Sequence, residues 1–188
     1  MAKKKEAVEI VVIMDRSGSM SSVRNEAIGG FNNFLANQQA LPGAANLTVV
    51  QFDDQYEVPV DGVKLKDVKP FTEDDFVLRG MTAMNDAIGR ALTQLLTEDP
   101  KKAIVCIITD GAENASKEFN YTKVKELIAQ AEVKEWEIVF LASGIDAQST
   151  SANLGMPRGV VLQASSDSSG ELAKYAMACS VSTSYRSQ

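Results

Sequence analysis

Asp15, Ser17 and Ser19 stand at alternate positions directly after a nearly unbroken apolar run at residues 8–14. One carboxylate and two hydroxyls in a turn at the end of a buried strand are the start of a hard-cation site. Two other stretches offer the same kind of oxygen, one after a long loop and one after a second apolar run. Thr82 follows Gly80-Met81, and Thr109-Asp110 closes the apolar run at residues 103–108. The pooled donors are carboxylates and hydroxyls, with no nitrogen or sulfur. That inventory suits Mg²⁺, with Mn²⁺ or Ca²⁺ also acceptable, and does not suit zinc. Two carboxylates neutralise a divalent cation, and so small a ligand set leaves coordination positions to water. An incoming carboxylate can take one of them. Singly, each piece has a plainer reading. Asp, Ser and Gly dominate turns, Thr82 can cap a helix, and Asp110-Gly111 is an ordinary turn. The conjunction, after these particular strands, points to a cation.

For three such turns to meet, the strands before them must run parallel and end at one edge. Residues 8–14, 47–52, 103–108, 136–141 and 160–162 read as strands, the first nearly continuously apolar, as when helices cover both sheet faces. Val23, Ala27, Phe31, Phe34 and Leu35 recur at helical spacing and predict a helix over 22–39. Gly29-Gly30 inside it implies a close helix–sheet contact. A second helix is expected over 84–97, with Thr82 as its cap. A third starts at Asn120 or Thr122, and a short fourth is closed by Gly155 and Pro157. The last opens on the capping box Ser168-x-x-Glu171, with Leu172, Tyr175, Ala176 and Cys179 facing inward. Tyr56, Val58 and Val60 alternate with polar residues and Pro59, which marks an antiparallel strand at the sheet edge before a turn at Asp61-Gly62. Residues 64–79 read as a long loop and 182–188 as frayed. The class is α/β: a doubly wound, Rossmann-like three-layer sandwich with a mostly parallel central sheet, one antiparallel edge strand and helices on both faces. Such folds bind ligands beyond the carboxyl ends of the strands, near the switch point.

With 188 residues the chain suits one domain, residues 6–186, with 1–5 and 187–188 as flexible ends. The net charge of −6, spread along the chain, argues against nucleic acid as a partner. No apolar run approaches the roughly 20 residues that cross a membrane, so no membrane partner is expected. The basic start leads straight into a strand without the hydrophobic region of a secretion signal. A cytoplasmic location follows as the expectation, or virion association if the chain is phage-encoded. Cys106 and Cys179 sit in apolar patterns and read as buried thiols. The absence of histidine removes Ser-His-Asp and Cys-His catalysis and the commonest neutral-pH base.

Asp15-Arg16-Ser17-Gly18-Ser19 resembles the Asp-x-Ser-x-Ser signature of von Willebrand factor type A domains, also called integrin I-like domains. Gly80-Met81-Thr82-Ala83 is similar to that family's threonine loop, and Thr109-Asp110-Gly111 to its distal aspartate. The resemblance spans essentially the whole chain, and the wording is nearest to small stand-alone microbial or phage members. It implies a metal-ion-dependent adhesion site in which Ser17, Ser19 and Thr82 coordinate the metal directly, and Asp15 and Asp110 directly or through water. The cation would hold an acidic residue of a protein partner, which can be another copy of the same chain. Met81 and Met84 depart from the usual threonine loop without touching the oxygens. Arg16 is expected to face solvent, and Asp53, Asp54, Asp74 and Asp75 are placed as acids able to ring the site. The expected function is therefore metal-dependent protein binding, not enzymatic. The alternatives are a structural subunit of a phage or bacterial assembly whose metal only pins loops, and an Mg²⁺-dependent phosphoryl hydrolase using Asp15 as nucleophile. Against the hydrolase, Ser17 stands where a second aspartate would be needed, and no phosphate-binding glycine loop is present.

Overall fold

The computed structural model describes residues 7–156 and 160–188. The expectations placed on residues 1–6 and on Pro157 lie outside them. The sheet has six strands in the order β3-β2-β1-β4-β5-β6. In chain order these are β1 (Val8–Asp15), β2 (Ala45–Phe52), β3 (Tyr56–Lys64), β4 (Ala103–Thr109), β5 (Glu137–Ser143) and β6 (Val160–Ala164). The helices are α1 (Arg24–Ala40), α2 (Met84–Glu98), α3 (Tyr121–Val133), α4 (Ala147–Asn153) and α5 (Ser168–Ser187). From β1 the chain winds outward through β2 and β3. It then returns to the other side of β1 and winds outward again through β4, β5 and β6. The switch point therefore falls between β1 and β4, and the parallel register pairing Met14 with Ile108 brings Asp15 level with Thr109.

Alternation along β1 divides the core. Ile10, Val12 and Met14 face α1 and α5, while Val11 and Ile13 face α2 and α3. The doubly wound sandwich with helices on both faces is thus realised, and the antiparallel edge strand is β3. Pro59 is tolerated there because, among the described residues, no strand pairs beyond it. The Asp61-Gly62 turn is absorbed into that strand as an irregularity of register between Val60 and Val63.

The long segment between β3 and α2 is ordered by side chains. Leu65, Val68, Phe71 and Phe76 are buried against the α1 face. Asn32 donates to the Phe71 carbonyl at 2.8 Å and accepts from its N–H at 2.7 Å.

The last helix departs from the sequence reading at both ends. Asp167, not Ser168, is its cap and accepts from the Gly170 N–H at 2.8 Å. Its inward face is Glu171, Lys174, Tyr175, Ala178 and Ser182, whereas Leu172 and Ala176 are exposed. The expected frayed end is helical to Ser187, held by Arg186 donating to the Gln38 carbonyl at 2.7 Å. The hydrophobic pattern misled because the buried stripe of this helix is largely polar.

Gly30 explains the glycine pair, although not through the sheet. A Cβ there would collide with the base of the Tyr175 ring on α5, while one at Gly29 would meet nothing. Gly30→Ala should therefore destabilise the fold by about 1–3 kcal/mol through overpacking. Gly29→Ala should stabilise it by about 0.5–1 kcal/mol. Urea unfolding of the two variants reads both signs.

Candidate functional site

Asp15 ends β1 with 1% of its surface exposed. A buried carboxylate is costly unless bonded, and here both oxygens are engaged. Thr109 Oγ1 donates to Oδ2 at 2.6 Å, and the Ser17 N–H donates to Oδ1 at 2.8 Å. Burial still raises the Asp15 pKa; the bonds from Thr109 and Ser17 oppose the rise and the charge of Asp110 adds to it. The chain then turns through a 3₁₀ segment, Gly18–Ser22, whose Met20 is buried beneath it. Ser17 and Ser19 hydroxyls lie 2.9 Å apart, and Ser19 Oγ donates to Asp110 Oδ1 at 2.7 Å. Hydrogen bonds thus join four of the five expected ligands, Asp15 to Asp110 through Ser17 and Ser19.

Thr82 is the fifth, and it does not cap α2. The cap position is Ala83, with no side-chain bond. The donors opening α2 are met from the loop after β4 instead: Asn85 N–H donates to Glu113 Oε2 at 2.7 Å and Asp86 N–H to Ser116 Oγ at 3.0 Å. The Thr82 hydroxyl, freed of capping, lies beside Gly111. A Cβ on Gly111 would stand 2.9 Å from Thr82 Oγ1 and 3.6 Å from Asp15 Oδ2. Only a residue without a side chain lets the backbone pass this close to an oxygen of the threonine loop and one of the Asp15 turn. A small all-oxygen cradle of this kind fits a hard divalent cation. Among the described residues no three or more His, Cys, Asp or Glu gather as metal ligands, so hydroxyls would have to supply most of the protein donors.

Two charged clusters brace these loops, and sequence reasoning missed both. Arg16, expected in solvent, is 2% exposed. Its Nε donates to Asp53 Oδ2 at 2.8 Å and its Nη1 to Glu57 Oε2 at 2.7 Å. Arg79 binds the same two acids, and its backbone N–H donates to the Arg16 carbonyl at 3.1 Å. The arginines, led by Arg16, hold the Glu57 carboxyl down at about 2. Asp53 is therefore structural rather than a rim acid, and Asp75 accepts from Thr72 in its own turn. Asp54 lies over Gly80, whose φ of +67° and lack of Cβ admit it.

The second cluster is on α5. Lys174 is fully buried and donates from Nζ to the Thr109 carbonyl and to Ser143 Oγ, each at 3.1 Å. Glu171 lies 2.7 Å from the same ammonium. Its pKa is raised by burial, which Lys174 opposes and the charges of Asp110 and Asp15 reinforce. No periodicity rule would select a lysine for the inner face of a helix. The only sequence trace is that the apolar residues of 168–187 fail to form one clean stripe.

A model of the von Willebrand factor type A domain family matches residues 10–113. No curated protein sequence is similar enough to match. Among solved structures, the PilB minor pilin from Streptococcus sanguinis superposes with a TM-score of 0.69 at 9% identity, covering 93% of this chain and 60% of the pilin. Proximal thread matrix protein 1 from the mussel byssus, with a zinc-occupied MIDAS motif, gives 0.61 at 17% identity over 92% of this chain and 46% of its own. Manganese-loaded TRAP protein of Plasmodium vivax gives 0.55 at 15% identity over 90% of this chain and 72% of its own. At these identities the likeness is one of fold. The cytoplasmic expectation is corrected: the proteins sharing this fold include a pilin and a byssus matrix protein, which belong outside the cell. Among the described residues no helix is long and apolar enough to cross a membrane, and that says nothing of compartment.

The buried Glu171–Lys174 pair gives a measurable expectation. Lys174→Ala strands a buried carboxylate and should cost about 3–5 kcal/mol in urea unfolding at pH 7. The loss should shrink as the pH falls, because the stranded Glu171, with a pKa raised further, becomes neutral. The double variant Glu171→Leu/Lys174→Met should recover most of the stability.

Proposed function

Because the chain belongs to the von Willebrand factor type A domain family, we propose that residues 6–186 act as one protein-binding domain, a subunit of an adhesive or structural assembly that meets its partner at the edge around Asp15, Thr82 and Asp110. Two observations favour assembly over catalysis. Solved structures with this fold include a minor pilin and a byssus thread matrix protein, though this chain spans 60% and 46% of their lengths. The rival nucleophile is badly placed: Asp15 is almost wholly buried, and both its oxygens already accept hydrogen bonds. A carboxylate so engaged is a poor attacking group.

The finer reading is that a divalent cation, Mg²⁺ first, occupies the cradle beside Gly111. Ser17, Ser19 and Thr82 would hold it directly, and Asp15 and Asp110 directly or through water. When bound, the cation supplies a position at which a partner's Asp or Glu can replace water. The residues of the chain do the rest. Thr109 keeps Asp15 turned toward the gap, and Ser19 ties Asp110 to the opposite turn. The observation that carries this reading is the convergence of the threonine loop and the Asp15 turn on Gly111, where a Cβ would stand 2.9 Å from Thr82 Oγ1 and 3.6 Å from Asp15 Oδ2.

Titration with Mg²⁺ and Mn²⁺ by calorimetry, beside sedimentation in Mg²⁺ or EDTA, tests both levels. The wild type is expected to bind one cation and to self-associate more strongly when loaded. Gly111→Val should lower Mn²⁺ affinity by at least roughly tenfold, the usual scale for disturbing a metal site, while unfolding stays cooperative. A site indifferent to Gly111→Val sinks the cation reading. Self-association that ignores EDTA leaves the chain as a structural subunit.

A further inference from the structure

Thr82 is gripped from both sides by one residue. Its N–H donates to Asn114 Oδ1 at 2.8 Å, and its carbonyl accepts from the Asn114 N–H at 3.0 Å. A residue bonded at both its peptide groups keeps little backbone freedom, so its hydroxyl has only χ1 left to search. The grip would be idle if Asn114 were itself loose, but its loop is fastened at successive points. Glu113 Oε1 accepts from Ala115 N–H at 3.0 Å and Ser116 N–H at 2.8 Å, and its Oε2 reaches Asn85 N–H. Asp86 then takes three consecutive backbone donors: Lys117 at 2.8 Å, Glu118 at 2.9 Å and Phe119 at 2.8 Å. The stretch from Asp110 to α3 has no regular structure. It is nonetheless bound to the start of α2 at Asn85 and Asp86.

We propose that Asn114 is the positioning residue for the Thr82 oxygen, holding the threonine loop against the loop after β4. This rests on the cation reading of the site. The division of labour explains why α2 lacks a local cap. Glu113 and Ser116 satisfy its opening N–H groups from the neighbouring loop, leaving Thr82 nothing to do at the helix end. Ligands on separate loops lose affinity in proportion to the freedom frozen on binding, and a grip formed beforehand removes that freedom in advance. Asn114 is exposed, so its replacement leaves the core untouched.

The test is a double-mutant cycle with Mn²⁺ as probe, read by calorimetry, together with amide hydrogen exchange on the metal-free protein. Asn114→Ala should weaken Mn²⁺ binding roughly tenfold, as loss of an outer partner of a metal ligand does. It should also speed exchange at the Thr82 amide. Asn114→Asp, which keeps the accepting oxygen, should restore the Thr82 protection. On a Thr82→Ala background, Asn114→Ala should change Mn²⁺ affinity no further, because a residue acting through Thr82 has nothing left to act on. Unchanged affinity in Asn114→Ala, or losses that simply add in the double variant, overturns the proposal. If the wild type binds no Mn²⁺, the cation reading fails. The exchange arm then decides the positioning alone, and unchanged Thr82 protection in Asn114→Ala overturns it too.

Discussion

A carboxylate buried at the end of a central strand has to be satisfied, and that requirement at Asp15 governs the architecture of this edge. The sheet supplies half of the answer. Register between β1 and β4 places Thr109 beside it, so the hydroxyl closing one strand bonds the acid closing the other. The turn supplies the remainder, with the Ser17 N–H folding back on the same side chain. Satisfying Asp15 in this way commits the next residues to a tight course, which carries the two serine hydroxyls across to Asp110. The site is a consequence of how one desolvated charge is accommodated at the switch point.

Around it, polar tasks are divided among residues that do not touch the cradle. Arg16 alternates in the chain with Asp15 and Ser17 but points the other way, into a charge-balanced group with Asp53, Glu57 and Arg79. That group ties the Asp15 turn to the β2–β3 hairpin and to the segment leading into Gly80. On the opposite flank, Lys174 grips the Thr109 carbonyl from α5. A buried ion pair adds little net stability, because the desolvation of both charges offsets their attraction. Both clusters bind at the backbone or the neighbours of candidate ligands, so what they fix is the relative placement of three loops.

The fold was legible because its signals are redundant. Apolar runs, helical spacing and the proline in β3 each select the same sandwich. The candidate site was legible as an inventory, since carboxylates and hydroxyls after buried strands are visible in the chain itself. The bracing was not. Thr82 looks like a helix cap from local sequence, and only the loop 30 residues on reveals that Glu113 and Ser116 do that work, with |i−j| of 28 and 30. Arg16 and Lys174 are charged residues whose burial depends on partners far along the chain, and average tendencies place such residues in solvent. The inward face of α5 was misread for the same reason, because an apolar stripe was sought where the buried stripe is ionic.

The charges also bear on what such an edge can hold. Lys174 is matched by Glu171 at 2.7 Å, so its positive charge is spent within α5 and does not neutralise the carboxylates at the strand ends. Asp15 and Asp110 are left bonded to uncharged donors, two hydroxyls and a backbone N–H, and the burial of Asp15 penalises its charge. An acidic side chain approaching this edge alone would meet like charge at short range in a partly desolvated setting, where repulsion is stronger than in water. With two positive charges added between the loops, the same approach becomes attractive. On the proposed reading, attraction to an acidic partner is therefore conditional on the cation. That condition follows because the protein's own buried ammonium is already paired.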